Sequence, residues 1–237
     1  MQRQPDAPGD DRDPLTAQYW NRRVQVAIHP PAAGSALPPV PELGRALFGS
    51  EIADPVWAAL VGAPDDASIG VLPWQSRDYP LAARVELHHA WLDGPAFRFV
   101  YRAAGGQPVI RNDFLRLRGD APAGVGTRIL AHQVRAAQDL SVAWIELDAE
   151  GRHGGTVNGY YTWARLGFNG PIPAAVRRQL PPELRDANDV LDLVTRPAGA
   201  AWWRLHGRTF PGVFDLRPGS LSLLALDAYT QARGIRI

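Results

Sequence analysis

The sequence predicts an α/β protein of the α+β kind: a mixed, mostly antiparallel central sheet with flanking helices and a C-terminal helical extension. Three observations carry this reading. Residues 68–118 hold four successive segments rich in branched and aromatic side chains, the mark of an antiparallel meander. Residues 108–148 then run strand, helix, strand, which implies a parallel pair with a right-handed crossover and makes the sheet mixed. Beyond Phe168 apolar residues recur at helical spacing.

Taken in order, residues 1–14 (MQRQPDAPGDDRDP) are polar, proline-rich and aperiodic, and are assigned to a disordered tail. Tyr19 and Trp20 open the ordered part, and 24–28 alternates as a short strand. Prolines make 29–41 a loop. Segments 42–49 and 54–62 read as short helices, the second with Asp54 as cap, Pro55 in its first turn and Gly62 as its stop. Strands are expected at 68–72, 83–92, 96–103 and 108–118, with turns at Asp93-Gly94 and Gly105-Gly106.

Helix 124–140 puts Val125, Ile129, Leu130, Val134, Ala137 and Leu140 on one stripe, with Arg128 and Arg135 off it. A short apolar strand at 142–148 suits a sheet centre, and a short aromatic helix leads to Leu166-Gly167-Phe168. Helices at 173–180, 188–194 and 197–206 and a strand at 213–216 follow, with Thr195 as cap and Gly207 as stop of the third. A final helix at 219–233 has Leu221, Leu224, Ala225, Ala228 and Tyr229 inward. The chain thus divides into the tail 1–14, a core 15–170, and an accessory segment 171–237 that returns a strand and a helix to the core.

At 237 residues the chain has length for a sizeable core. Its 25 basic and 24 acidic residues nearly cancel, arginines alternate with acids, and lysine is absent, so no nucleic-acid partner is expected. Zero cysteine excludes disulfides, thiol catalysis and thiolate metal sites. No leader pattern and no apolar run near about 18 residues appears, so the expectation is a cytoplasmic protein without a membrane partner.

The most informative stretch delivers a strand through Gly124-Val125-Gly126 onto a helix N-terminus. The first-turn N–H groups there have no intrahelical acceptors, and the helix dipole adds positive potential, so the arrangement suits an anion. Gly124-Val125-Gly126-Thr127, the strand at 142–148, and Asn158 to Phe168 (NGYYTWARLGF) together resemble the GNAT superfamily of acyl-coenzyme A-dependent N-acyltransferases. The glycine pair matches the end of the family's pyrophosphate loop. The strand matches the one that splays from its neighbour to admit pantetheine, and the aromatic helix matches the one ending in Leu-Gly-Phe.

The resemblance implies transfer of an acyl group from acetyl-CoA, or another acyl-CoA, to a primary amine of a small molecule or peptide, and the lack of cysteine favours direct transfer. No metal is expected, because His132, His153 and His206 have no acid or histidine at ligand spacing. The resemblance also implies that Gly124, Val125, Gly126, Thr127 and Arg128 hold pyrophosphate. Asn158 would bond pantetheine or the acyl carbonyl. Asp113 or Glu146 would take the amine's proton, and Tyr160, Tyr161 or water would protonate the departing thiolate. The family's usual tyrosine for that step falls on Trp163, which is left on the coenzyme side as an N–H donor. Ala121 stands where the family usually has Arg or Gln, and Asp120 nearby would repel pyrophosphate unless Arg118 and Arg128 offset it.

These departures keep a non-catalytic interaction module, with a protein partner or a homodimer, as the alternative. A nucleotide enzyme on the same glycine loop ranks last, because such loops use a lysine. Each residue also has a structural reading. Asp113 and Glu146 suit exposed strand positions, Asn158 a helix N-cap, and the Tyr160-Tyr161-Trp163 set spans more than one helix face. Adjacent His88 and His89 point to opposite strand faces and cannot chelate together. Trp202-Trp203 suits helix packing as well as an acceptor pocket.

Overall fold

The computed structural model describes residues 11–237. Seven strands form one sheet in chain order: β1 Gln25–Ile28, β2 Ser68–Trp74, β3 Ala82–His88, β4 Ala96–Arg102, β5 Pro108–Phe114, β6 Trp144–Arg152 and β7 Arg208–Asp215. The β1–β2 and β5–β6 pairs are parallel and the other four are antiparallel. The sheet is therefore mixed and mostly antiparallel. The helices of the described residues are α1 Pro14–Tyr19, α2 Val40–Phe48, α3 Asp54–Leu60, α4 Val125–Asp139, α5 Gly159–Arg165, α6 Ala174–Arg177, α7 Val190–Thr195, α8 Pro197–His206 and α9 Leu221–Gln231. None is long and apolar enough to cross a membrane.

Strand periodicity separates the two faces of the sheet. Val71, Val85, Val100, Ile110, Ile145 and Phe214 are fully buried on one face, with the helices packed over them. Their neighbours Trp74, Arg84, Phe99, Tyr101, Arg111 and Glu146 lie on the other face and are only partly covered. The flanking helices thus form one layer, and the opposite face is open, as antiparallel sheets allow. Gly62 sets how closely α3 meets α4. It has φ +65°, and an added Cβ would lie 1.9 Å from the Ile129 carbonyl oxygen.

Several local expectations need correction. Asp13, assigned to the tail, is buried and caps α1, accepting from the Leu15 and Thr16 N–H groups at 3.1 and 3.3 Å. Residues 1–10 lie outside the described residues. Ala53, not Asp54, is the N-cap of α3, and Arg196, not Thr195, that of α8. Strand β7 is longer than 213–216 because Pro211 does not interrupt it; a proline missing its donor is tolerated on an edge strand.

In α9 the phase is different from the one expected. Leu221 and Leu224 are 58% and 55% exposed, while Ser222 and Leu226 are buried. Polar contacts fix that phase: Ser220 caps the helix at Leu223 N–H and donates to the Asp215 carbonyl at 2.6 Å, and Ser222 Oγ accepts from Asp215 N–H at 3.1 Å.

Candidate active site at the parting of two strands

Strands β5 and β6 pair at Ile110–Ile145, Arg111–Glu146 and Asn112–Leu147. Both continue, to Phe114 and Arg152, without further pairing to each other. Each is held by its other neighbour instead. Arg98 on β4 sits at a register shift and donates from Nη1 to the Phe97 and Phe114 carbonyls at 2.9 and 3.0 Å, tying the end of β5 to β4. Strand β6 stays with β7 through Ala149 and Arg152. The parallel pair therefore opens at its C-terminal end, where parallel α/β units commonly bind ligands.

The loop after β5 returns the chain to α4 at that same end. Gly124, at φ +80°, is the N-cap. An added Cβ at Gly124 would meet the Arg128 guanidinium at 2.6 Å, whereas one at Gly126 meets only Leu117 Cδ1, at 3.3 Å. Val125 and Thr127 have buried side chains, and the Val125 N–H donates to the Pro122 carbonyl at 3.3 Å. Arg128, expected off the buried stripe and facing pyrophosphate, is buried. It donates from Nη2 to Asp13 at 2.5 Å and from Nε to Thr16 Oγ1 at 3.0 Å. Its charge is spent on an internal carboxylate. Arg118 is likewise paired, with Asp120 at 3.0 Å in the exposed loop.

Asp113 and Glu146, far apart in sequence, come together on the open face around Arg111. The guanidinium lies 3.9 Å from Asp113, 3.6 Å from Glu146 and 2.5 Å from Asp148. Glu146 also accepts from the Tyr101 hydroxyl at 2.8 Å and from Trp144 Nε1 at 3.1 Å, which fixes both carboxylate oxygens. Burial would lower the Arg111 pKa, but the bond to Asp148 and the surrounding negative charge hold it above its ordinary value. Burial and the bond to Glu146 push Tyr101 up, so it remains a donor. Arg98 is pulled down to about 10 by burial and is still a cation at neutral pH. Its Nε has no partner among the described residues.

The aromatic helix divides its candidates. Tyr160 is buried, donates to the Arg204 carbonyl at 2.7 Å and is pushed up by burial, so it packs rather than faces the opening. Tyr161 is half-buried, with the Arg165 and Arg204 guanidinium carbons 4.8 and 5.9 Å from its ring centre. Trp163 is half-buried against Phe168. Asn158 occupies the N-cap position of α5 without a side-chain cap bond; its Oδ1 accepts from Thr162 Oγ1 at 3.3 Å. Trp203 is buried and donates to the Tyr160 carbonyl, so it is a packing residue. Among the described residues no group of three His, Asp or Glu side chains is placed to share a metal ion.

Sequence reasoning missed Tyr101, Arg111, Trp144 and Asp148. A signal was present: Arg111 is two residues before Asp113, and Trp144 and Asp148 flank Glu146 at the same interval, so each set shares a strand face. What was missing was the register that sets Arg111 beside Glu146. No protein-family model matches the chain, and no curated protein matches it.

Proposed function

We propose that the protein is a GNAT-like N-acyltransferase, moving an acyl group from acyl-CoA, acetyl-CoA first among them, to a primary amine. The observation that supports it is the parting of β5 and β6 after Asn112 and Leu147, at the end where a glycine-capped helix begins. Pyrophosphate would lie on the backbone N–H groups of Gly124, Gly126 and Thr127, without Arg128 and without the Val125 N–H, which donates to the Pro122 carbonyl at 3.3 Å. Pantetheine would enter the gap, beside Asn158 and Trp163, and the amine would come from the open face.

There the amine nitrogen attacks the thioester carbonyl and the carbon–sulfur bond breaks. The amine's proton passes to Glu146, oriented by Tyr101 and Trp144, or to Asp113, directly or through water. The thiolate takes a proton from the Tyr161 hydroxyl or from water. Steady-state release of coenzyme A across an amine panel tests the assignment. Glu146→Gln should lower kcat by about a hundredfold or more with little change in KM for acetyl-CoA; an unchanged kcat would remove Glu146 from the reaction. A non-catalytic interaction module is the second reading. It is favoured by the commitment of Arg128 to Asp13, which leaves the helix start without a side-chain cation from that position.

A further inference from the structure

A separate cleft of about 350 Å³ lies where α3, α4 and β1 meet, and it shares no residue with the acyl-transfer site. Val24, Val26, Ala58, Gly62 and Ala136 give it a small-residue apolar wall. Trp20 and His132 form a stacked pair at its side, ring centres 5.4 Å apart and planes 7° from parallel. The Trp20 indole N–H is spent on the Gly62 carbonyl at 3.2 Å. His132 Nε2 is different: it is buried and has no hydrogen-bond partner among the described residues.

Charge around the cleft is uneven. Arg12, Arg22 and Arg135 border it against Asp54 and Asp139. Burial, followed by Arg135, Arg12 and Arg128, pushes His132 down to about 4, with only Asp13 opposing. The ring is therefore neutral at neutral pH, chiefly because it is buried and secondarily because of the nearby guanidinium groups. Arg135 is exposed and donates to the main-chain oxygen of Ile237, which also lines the cleft, at 3.2 Å. A concave, mostly apolar site with a few convergent polar groups is the ordinary form of a small-molecule site.

We propose that this cleft binds a small organic carboxylate with an apolar body, the body against Trp20 and the alanine wall and the carboxylate toward Arg135 and Arg22. A single negative charge fits better than a phosphate, because Asp54 and Asp139 share the rim. The site is independent of the acyl-transfer reading and stands if that reading fails.

The test is titration of the full chain with 2-naphthoate, followed by amide correlation spectra, with neutral 2-naphthamide as the matched control. Saturable shifts centred on Ala58, Gly62 and Ala136 are expected, with the carboxylate at least about tenfold tighter than the amide. Ala136→Phe should abolish the shifts by filling the cleft. Arg135→Gln, at an exposed position, should weaken the carboxylate several-fold and leave the amide unaltered. Absence of saturable shifts, equal binding of the amide, or binding unaffected by both substitutions would overturn the proposal.

Discussion

Asp13 shows how much one side chain can organise. Its carboxylate caps α1, pairs with Arg128 at 2.5 Å and accepts from the Arg236 N–H at 3.0 Å, so it joins residues near both ends of the described chain to α4. Burial would raise its pKa, but hydrogen bonds from Arg128, Thr16 and Arg236 hold it well below the carboxylate range. Removing one partner of a buried pair leaves the other uncompensated, so Asp13→Ala should cost about 3–5 kcal/mol in denaturant unfolding. A depressed carboxylate binds fewer protons folded than unfolded. Its stabilisation is therefore complete above its ordinary value, about 4, and is lost as pH falls below that. Asp13→Asn should remove that part of the acid slope; an identical slope would contradict the assignment.

At the scale of elements, α4 is fixed by polar as well as apolar contacts. Gln133 is fully buried, exchanges hydrogen bonds with Asn112 on β5 at 2.8 and 3.0 Å, and donates to the Leu60 carbonyl at the end of α3 at 2.9 Å. Its loss would strand two buried partners, so Gln133→Ala should destabilise by about 1–3 kcal/mol. If the network acts as a unit, Asn112→Ala with Gln133→Ala should cost less than the sum of the two singles.

None of this was legible in the sequence, where apolar periodicity finds Ile129 and Val134 but says nothing of a polar residue between them. The same limit explains Arg128: helical spacing puts it off the stripe, yet the segment around Asp13, distant in sequence, covers it. The meander at 68–118 was readable because its branched and aromatic runs are bounded by glycine turns. The α9 phase was not, because hydroxyl contacts from Ser220 and Ser222 to the end of β7 fix it, and no periodicity encodes them.

For the whole molecule, the single helical layer leaves one face of the sheet open. One face of the sheet is closed by packing, and the other presents Asp113, Glu146 and Asp148 around Arg111, with aromatic neighbours. The gap between β5 and β6 lies between the glycine-capped helix on the closed side and these carboxylates on the open side. In the reaction we propose, an acyl carrier and an acceptor would approach from opposite directions and meet at the gap.

The most direct measurement is calorimetric titration of the protein, and of Gly126→Glu, with acetyl-CoA and with coenzyme A. A Cβ at Gly126 meets only the end of the Leu117 side chain, so the substitution should leave the fold intact while placing a negative charge where pyrophosphate would lie. Saturable binding by the parent chain, lost in a folded Gly126→Glu, is the predicted result. No binding by the folded parent, or equal binding by the variant, would contradict a coenzyme site at the start of α4.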